Sequence, residues 1–174
     1  MILTGHAAVF DSLSIDLGGF REIIAPGAFR RTIREGNQFA IHYHDYADLL
    51  GSTRSGTLKL SEDPRGLCFE LAVPDTSLGR DVHTLVKRGD LLHMSFSFLV
   101  NGYAGEKWRE LSNGRLERTL LDVDLFEVST VARPAYMDTK VSAGARAMTQ
   151  ASGSTRNRLL RRHMQARLSA ANIR

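Results

Sequence analysis

The chain has 174 residues, which is enough for one domain with a substantial core and too few for two. Hydrophobic residues at 43% and charged residues at 24% are typical of globular proteins, and the single cysteine, Cys68, excludes an intramolecular disulfide framework. No apolar run reaches membrane-spanning length and the N-terminal residues lack a signal-peptide pattern, so we expect a soluble, intracellular protein with no membrane partner.

The positive charge of the chain is confined to its C-terminal part. Residues 141–174 carry seven arginines and no acidic residue, which leaves 16 basic and 19 acidic side chains, a net charge of −3, in residues 1–140. Because this main part has no basic stripe interleaved with aromatic residues, we do not expect it to bind nucleic acid. Binding through the arginine-rich tail stays open, and it would be salt-sensitive and lost on deleting residues 142–174.

Alternating apolar and polar residues predict strands in the first third of the chain. A short amphipathic helix follows Pro26 and ends at Gly36. The alternation also places His42 and His44 on the same face of a strand, and residues 45–56 are polar and predict a loop. The predicted strands span residues 2–10, 20–25 and 38–44.

The middle of the chain predicts a hairpin and a helix. Residues 57–73 form the hairpin, with its turn at residues 62–66. The helix ends at Gly89, which suits a left-handed C-terminal cap. Its N-cap candidates are Asp75, Thr76 and Ser77.

The helix leads to the most informative strand, residues 91–100. Its polar face carries His93, Ser95 and Ser97, followed by Leu99. A strand anchored by aromatic residues can hold a serine hydroxyl at a fixed position and angle, as a nucleophile requires. The alternative is that Ser95 is an ordinary polar residue on a solvated face. The face directed to the core carries Leu92, Met94, Phe96, Phe98 and Val100.

Residues 115–131 form an extended run that is too long for one straight strand, so a bent strand is predicted. One face carries Val123, Leu125 and Glu127. Glu127 should therefore lie at an exposed end or find a partner, because an unpaired buried carboxylate is costly. Pro134 cannot continue a central strand and marks the close of the domain.

Composition divides the chain into a domain of residues 1–141 and an appendage of residues 142–174. Ala, Gly, Ser and Thr dominate residues 142–154 and indicate a linker. The basic segment that follows has helical propensity but only a narrow apolar stripe. We expect this tail to be helical or disordered, and ordered only against a partner.

A serine, a histidine and a carboxylate thus occupy defined strand faces. A serine hydroxyl becomes a good nucleophile when an imidazole takes its proton, and a carboxylate fixes the imidazole tautomer, so the set indicates acyl transfer. The strand pattern cannot choose between His42 and His44 as the base. Two structural pairings stay open as alternatives, His44 with Asp45 and Glu127 with Arg133.

Seven segments within residues 5–139 resemble the motifs of the prohead proteases of tailed bacteriophages, a serine protease family. Their order and spacing also resemble those of the family. That family is similar in fold to the herpesvirus capsid maturation proteases, so the resemblance implies an α+β domain built on a bent, largely antiparallel β-barrel with a few flanking helices. The segments are GFREIIAPGAF, HYHD followed by LLG, GTLKL, PRGLCFEL, PDTSLGRDV, KRGDLLHMSFSF and LFEVSTVARPAY.

The resemblance also implies roles for individual residues. The nucleophile falls on Ser95, the general base on His44 and the third member of the triad on Glu127. It calls for no metal and no organic cofactor. Whether His42 has any catalytic role stays open.

This chain departs from the family pattern around the nucleophile. The family usually has glycine where His93 and Ser97 stand, so these two side chains would narrow or polarise the substrate cleft. It usually has asparagine in place of Tyr43. By similarity to related viral proteases, Arg133 is a candidate for the oxyanion hole, and a surface salt bridge is its alternative role.

The implied function is a serine endopeptidase that cleaves the scaffolding segment of capsid proteins, and itself, during procapsid maturation. Expected partners are the major capsid protein or its scaffolding segment, with self-association inside the procapsid in the host cytoplasm. The alternative is a catalytically idle capsid-assembly scaffold or binding module.

Overall fold

Ten strands and two helices make up the part of the chain that the computed structural model describes, residues 1–136. The helices are α1 (Arg30–Glu35) and α2 (Ser77–Arg88). The strands are β1 (Ile2–Val9), β2 (Phe20–Ile24), β3 (Phe39–His42), β4 (Asp45–Ser52), β5 (Leu58–Glu62), β6 (Gly66–Ala72), β7 (His93–Val100), β8 (Glu106–Glu110), β9 (Leu116–Leu120) and β10 (Val123–Val131).

The strands form three separate sheets, with the orders β1-β6-β5, β4-β3-β10-β7 and β2-β9-β8. Most neighbours are antiparallel, whereas β3 with β10 and β2 with β9 are parallel. The mixture of strands and helices confirms the predicted α+β class. The predicted β-barrel is wrong for residues 1–136, because a barrel needs one sheet hydrogen-bonded from its first strand to its last.

Both predicted helices form; the start of α2 and the C-terminal ends of both helices follow the expected capping chemistry, whereas α1 begins without a side-chain cap. The Thr76 hydroxyl accepts a hydrogen bond from the Gly79 N–H at 3.1 Å and begins α2. Gly36 and Gly89 end the two helices with φ values of 65° and 85°, a left-handed backbone that glycine adopts without steric cost.

The loop predicted over residues 45–56 is wrong in its first two thirds. Residues 45–52 form β4, which pairs antiparallel with β3 and lies at the edge of the four-stranded sheet. Two register shifts interrupt the pairing, so β4 follows no regular alternation. An edge strand tolerates such a polar and irregular sequence. Because the sequence of β4 does not alternate regularly, its periodicity did not predict a strand.

The long extended run of residues 115–131 divides into β9 and β10. The break lies at Leu121 and Asp122, whose N–H groups both donate to the Gly105 carbonyl, at 2.8 and 3.1 Å. The two strands therefore belong to different sheets. Where a bend within one strand was predicted, the chain passes from one sheet to another.

Aromatic packing anchors β7 in the core. The Phe96 ring meets Phe29 edge-to-face at 5.5 Å and stacks on Tyr136 at 6.1 Å. Burying one such ring contributes about 1.5–3 kcal/mol. Met94 is also buried, as predicted, but Leu92 precedes the strand and is 38% exposed, so its predicted core position is wrong.

The predicted boundary between residues 141 and 142, the linker and the basic tail lie outside the described residues. Neither helix within residues 1–136 combines the length and apolar character needed to cross a membrane.

Candidate active site

The candidate site is built on three adjacent strands with β10 in the centre, between β3 and β7. Ser95 of β7 lies directly opposite Ser129 of β10, and Ser97 lies opposite Glu127. Directly opposed residues of antiparallel strands point to the same face with Cα atoms about 4.5–5.5 Å apart. The pairing therefore brings Ser95 and Glu127 onto one face of the sheet.

A β-bulge at Phe126 decides the direction of Glu127. Leu125 pairs with Phe98 and Glu127 pairs with Ser97, so β10 has one extra residue at this point. The predicted grouping of Glu127 with Val123 and Leu125 on one face is therefore wrong. The bulge turns the carboxylate from the side of Leu125 to the side of Ser95.

A tight turn decides the direction of His44. Tyr43 and His44 join β3 to β4 with left-handed φ values of 49° and 62°, as in a type I′ hairpin turn, and His42 pairs with Asp45. The predicted strand thus ends at His42, and the prediction that both histidines share a face is wrong. The side chain of His42 contacts Thr130, whereas His44 contacts Ser129, and these neighbours in β10 point to opposite faces.

His44 and Glu127 form a close pair. Nδ1 of His44 donates to Oε1 of Glu127 at 2.6 Å, and the Glu127 side chain is only 1% exposed. A neutral imidazole that donates from Nδ1 keeps the lone pair of Nε2 available as a proton acceptor. Oε2 of Glu127 has no hydrogen-bond partner among the described residues, so His44 is the main compensation for this buried carboxylate.

Ser129 links this pair to the Ser95 strand. Its hydroxyl accepts the His44 backbone N–H at 2.8 Å and donates to the Ile41 carbonyl at 3.3 Å. Ser129 is fully buried and lies opposite Ser95. The Ser129 side chain thereby holds the hairpin turn that carries the His44 imidazole close to β10, the strand that carries Glu127.

Ser95 itself is fully buried, so the alternative that it lies on a solvated strand face is wrong. The flanking His93 and Ser97 are partly buried on the same face. A substrate could reach Ser95 Oγ only after neighbouring groups move apart.

Tyr46 of β4 reaches the same face. Its hydroxyl lies close to Ser97, and burial together with the negative charge of Glu127 raises the pKa of the phenol. Tyr46 is 57% exposed, and its ring packs edge-to-face on Phe39 at 6.0 Å. Tyr46 therefore forms an aromatic border of the site beside Ser97.

The two alternative pairings do not occur. The Asp45 carboxylate accepts a hydrogen bond from the Ala47 N–H at 2.8 Å, within its own segment. Glu127 pairs with His44. Arg133 is exposed, two residues beyond the end of β10. The last residue of that strand, Val131, pairs with His93 of β7.

His42 belongs to a different environment. Its Nδ1 is 2.7 Å from the Thr130 hydroxyl, and its ring meets Tyr43 at 4.4 Å. Burial lowers the pKa of His42, which favours the neutral ring. The geometry thus separates the two histidines that the strand pattern left equivalent.

Sequence reasoning missed Ser129 and Tyr46. Ser129 stands two residues after Glu127, so the alternation of β10 from Glu127 onward places both on one face and was available as a signal. No comparable signal existed for Tyr46, because β4 itself was not predicted.

An α+β fold that sets a histidine–carboxylate pair beside a strand serine has the ingredients of a serine hydrolase. Residues 1–153 match the family model described as caudovirus prohead serine protease, and the chain belongs to this family. The resemblance found in the sequence is therefore confirmed, and with it the class of phage capsid maturation serine proteases. No curated protein and no solved structure matches the chain.

Proposed function

We propose that the protein is a serine endopeptidase of procapsid maturation in which Ser95 is the nucleophile, His44 the general base and Glu127 the orienting carboxylate. The observation that carries the proposal is the 2.6 Å contact between His44 Nδ1 and the buried Glu127. Membership of the prohead serine protease family supports the same reaction class.

In this mechanism Ser95 Oγ attacks the scissile carbonyl carbon while Nε2 of His44 takes the hydroxyl proton. The same proton then passes to the leaving amine as the peptide C–N bond breaks, and water later hydrolyses the acyl-enzyme. Glu127 holds the ring in the productive tautomer and stabilises the imidazolium. Arg133 is our candidate donor to the oxyanion, because a cation there would stabilise the developing charge.

The proposed substrate is the scaffolding segment of the major capsid protein inside the procapsid, in the host cell, where the protease would also self-associate. His93 and Ser97 flank Ser95, and we propose that they shape the cleft for the residues around the scissile bond. Because Ser95 is buried, an extended segment has to displace its neighbours when it binds, which favours substrates that offer several contacts at once.

The deciding experiment is co-expression with the neighbouring capsid gene product, followed by mass spectrometry of both chains. The wild type should cut the capsid protein, and Ser95→Ala should leave it intact while remaining folded. Ser61→Ala removes an exposed hydroxyl from β5 and is a matched control that should cut normally. Cleavage by Ser95→Ala at the wild-type rate would refute the assignment.

We further propose self-cleavage between residues 142 and 155. This segment is rich in small residues and lacks apolar anchors, so it can enter a cleft as an extended chain. The wild type should lose roughly the last 20–30 residues with time, because cleavage anywhere in this segment releases a fragment of about that length. A wild-type tail that stays intact at high concentration would contradict this, and equal trimming of Ser95→Ala would assign the cut to another protease.

One observation favours a second candidate, a catalytically idle capsid-assembly module. A nucleophile with no exposed surface is the state expected if the site no longer receives substrate. In that case the wild type would bind capsid protein without cutting it, and Ser95→Ala would assemble procapsids as the wild type does.

A further inference from the structure

A second cluster of reactive side chains lies on a different sheet from the candidate active site. His6 of β1 and Cys68 of β6 are directly opposed, and Asp63 lies in the turn between β5 and β6. This is the one group of three or more His, Cys, Asp and Glu side chains within residues 1–136 whose ligand atoms lie close enough to share an ion. The proposed proteolytic mechanism uses none of them.

The three ligand atoms converge on one point. His6 Nε2 is 2.8 Å from Asp63 Oδ2, Cys68 Sγ is 2.9 Å from the same oxygen, and Sγ is 3.2 Å from Nε2. The side chains of His6 and Asp63 are 16% and 38% exposed, so the cluster is shielded but open to solvent on one side.

The geometry points to a Zn²⁺ site: we propose that His6, Asp63 and Cys68 bind one zinc ion, with water in the fourth position. Thiolate sulfur, imidazole nitrogen and carboxylate oxygen are the usual zinc ligands. Around a tetrahedral zinc, such atoms lie roughly 3.4–3.6 Å apart, by the bond lengths of zinc to sulfur, nitrogen and oxygen. The observed separations of 2.8, 2.9 and 3.2 Å are shorter than this range, so the three side chains would have to rotate slightly apart when the ion binds.

The surroundings hold the ligands in place. Asp63 Oδ1 accepts the N–H groups of Arg65 and Gly66, at 2.7 and 2.9 Å, which leaves Oδ2 directed at the cluster. Such outer hydrogen bonds orient the ligands of metal sites. Binding forms the Sγ–Zn bond and releases the thiol proton to solvent, and it forms the Nε2–Zn bond as the imidazole proton of His6 moves from Nε2 to Nδ1. The ion would join β1, β6 and the β5–β6 turn.

The ligand chemistry also selects among metals. Mg²⁺ and Ca²⁺ prefer shells of oxygen ligands, and this site offers one carboxylate beside a sulfur and a nitrogen. The competing explanation is that hydrogen bonds alone hold the side chains of His6, Asp63 and Cys68 together. It predicts no metal binding at all.

The test uses the full chain after removal of metal with a chelator, titrated with Zn²⁺, Mg²⁺ and Co²⁺. We expect one Zn²⁺ per chain by calorimetry and native mass spectrometry, a higher Tm with Zn²⁺, and no change with Mg²⁺. Because Cys68 is the single cysteine, a cobalt–thiolate charge-transfer absorption can come from this site alone.

Cys68→Ala and His6→Ala should abolish the cobalt absorption or weaken zinc affinity by roughly a hundredfold or more, since loss of an outer-shell group already costs 10- to 100-fold. Asp63→Asn preserves the shape of the turn and tests the third ligand if another variant folds poorly. His83→Ala, on α2, is the matched control that should bind as the wild type does. His44→Ala removes the histidine of the active-site pair as a competing ligand.

Absence of cobalt absorption and of a zinc-dependent Tm shift in the folded wild type would overturn the proposal. So would zinc binding that survives unchanged in Cys68→Ala and His6→Ala, because the ion would then lie elsewhere. A stoichiometry of one ion per two chains would replace the proposed site by an intermolecular one.

Discussion

His44 Nδ1 and Glu127 Oε1 lie 2.6 Å apart although the two residues are 83 positions apart in the chain. Glu127→Gln keeps the shape of the side chain but removes its charge. In the proposed protease this variant should lose about 10⁴-fold in kcat, against about 10⁶-fold for Ser95→Ala or His44→Ala, because the carboxylate only orients and stabilises the imidazole. Steady-state cleavage of a capsid-derived peptide measures this, and equal losses in all three variants would contradict the assigned roles.

Ser129 should affect activity through the position of His44. Ser129→Ala removes the acceptor of the His44 N–H, so we expect kcat to fall. Thr130→Val is a matched control, since it removes the neighbouring buried hydroxyl that contacts His42 on the opposite face. Each variant should lose about 1–3 kcal/mol of unfolding free energy. If kcat falls equally in both, Ser129 has no special positioning role.

Tyr43 should be a strained position. Asparagine tolerates a left-handed backbone better than other residues with a side chain, and Tyr43 has a φ of 49°. Tyr43→Asn and Tyr43→Ala both remove the ring contact with His42, so their difference isolates the backbone. We expect Tyr43→Asn to be the more stable of the two by roughly 0.5–1 kcal/mol in urea unfolding. Equal stabilities would show that the turn is not strained.

Arg118 should be essential for stability. It pairs with the buried Glu22, lies 3.5 Å from Glu106, and packs 5.0 Å from the centre of the Phe20 ring. Arg118→Met leaves the buried carboxylates without this partner, which typically costs about 3–5 kcal/mol. Chemical unfolding measures the loss.

The matched control for Arg118 is Arg80→Met. It breaks the ion pair of Arg80 with Asp75, in which the two side chains are 56% and 86% exposed. Such a pair contributes at most about 1 kcal/mol. Similar losses in both variants would mean that burial of the Arg118 cluster has no special energetic effect.

His42 should make the fold sensitive to mild acid. Burial lowers its pKa below the ordinary value of 6.5, while the charge of Asp48 acts in the opposite direction and is the smaller effect. The neutral ring is therefore favoured in the folded state. The stability that this provides is complete above pH 6.5 and is lost as the pH falls from there through the lowered pKa.

His42→Asn keeps a polar group near Thr130 but cannot titrate. Its unfolding free energy should fall less between pH 7.5 and pH 5.5 than that of the wild type, measured by urea unfolding at each pH. The other histidines are common to both proteins, so the difference reports His42. Parallel pH profiles would exclude this contribution.

Local sequence signals predicted most elements but not the convergence of the site. The capping residues and the alternation of β7 are properties of short segments, so the helix ends and this strand could be predicted from the sequence. The directions of His44 and Glu127 depend on a turn and a bulge, each of which reverses a side chain relative to strict alternation. A bulge is defined by the register with a partner strand, which a single segment does not contain.

The central place of β10 also has a consequence during synthesis of the chain. β10 is the last strand within residues 1–136, and it is the shared neighbour of β3 and β7. A nascent chain that has not yet emerged to residue 131 has no surface on which the segments bearing His44 and Ser95 can meet, and pairing of such distant segments is slow. In the proposed protease, activity would therefore appear only after translation has passed β10, so proteins near the ribosome would not be exposed to a partly made enzyme.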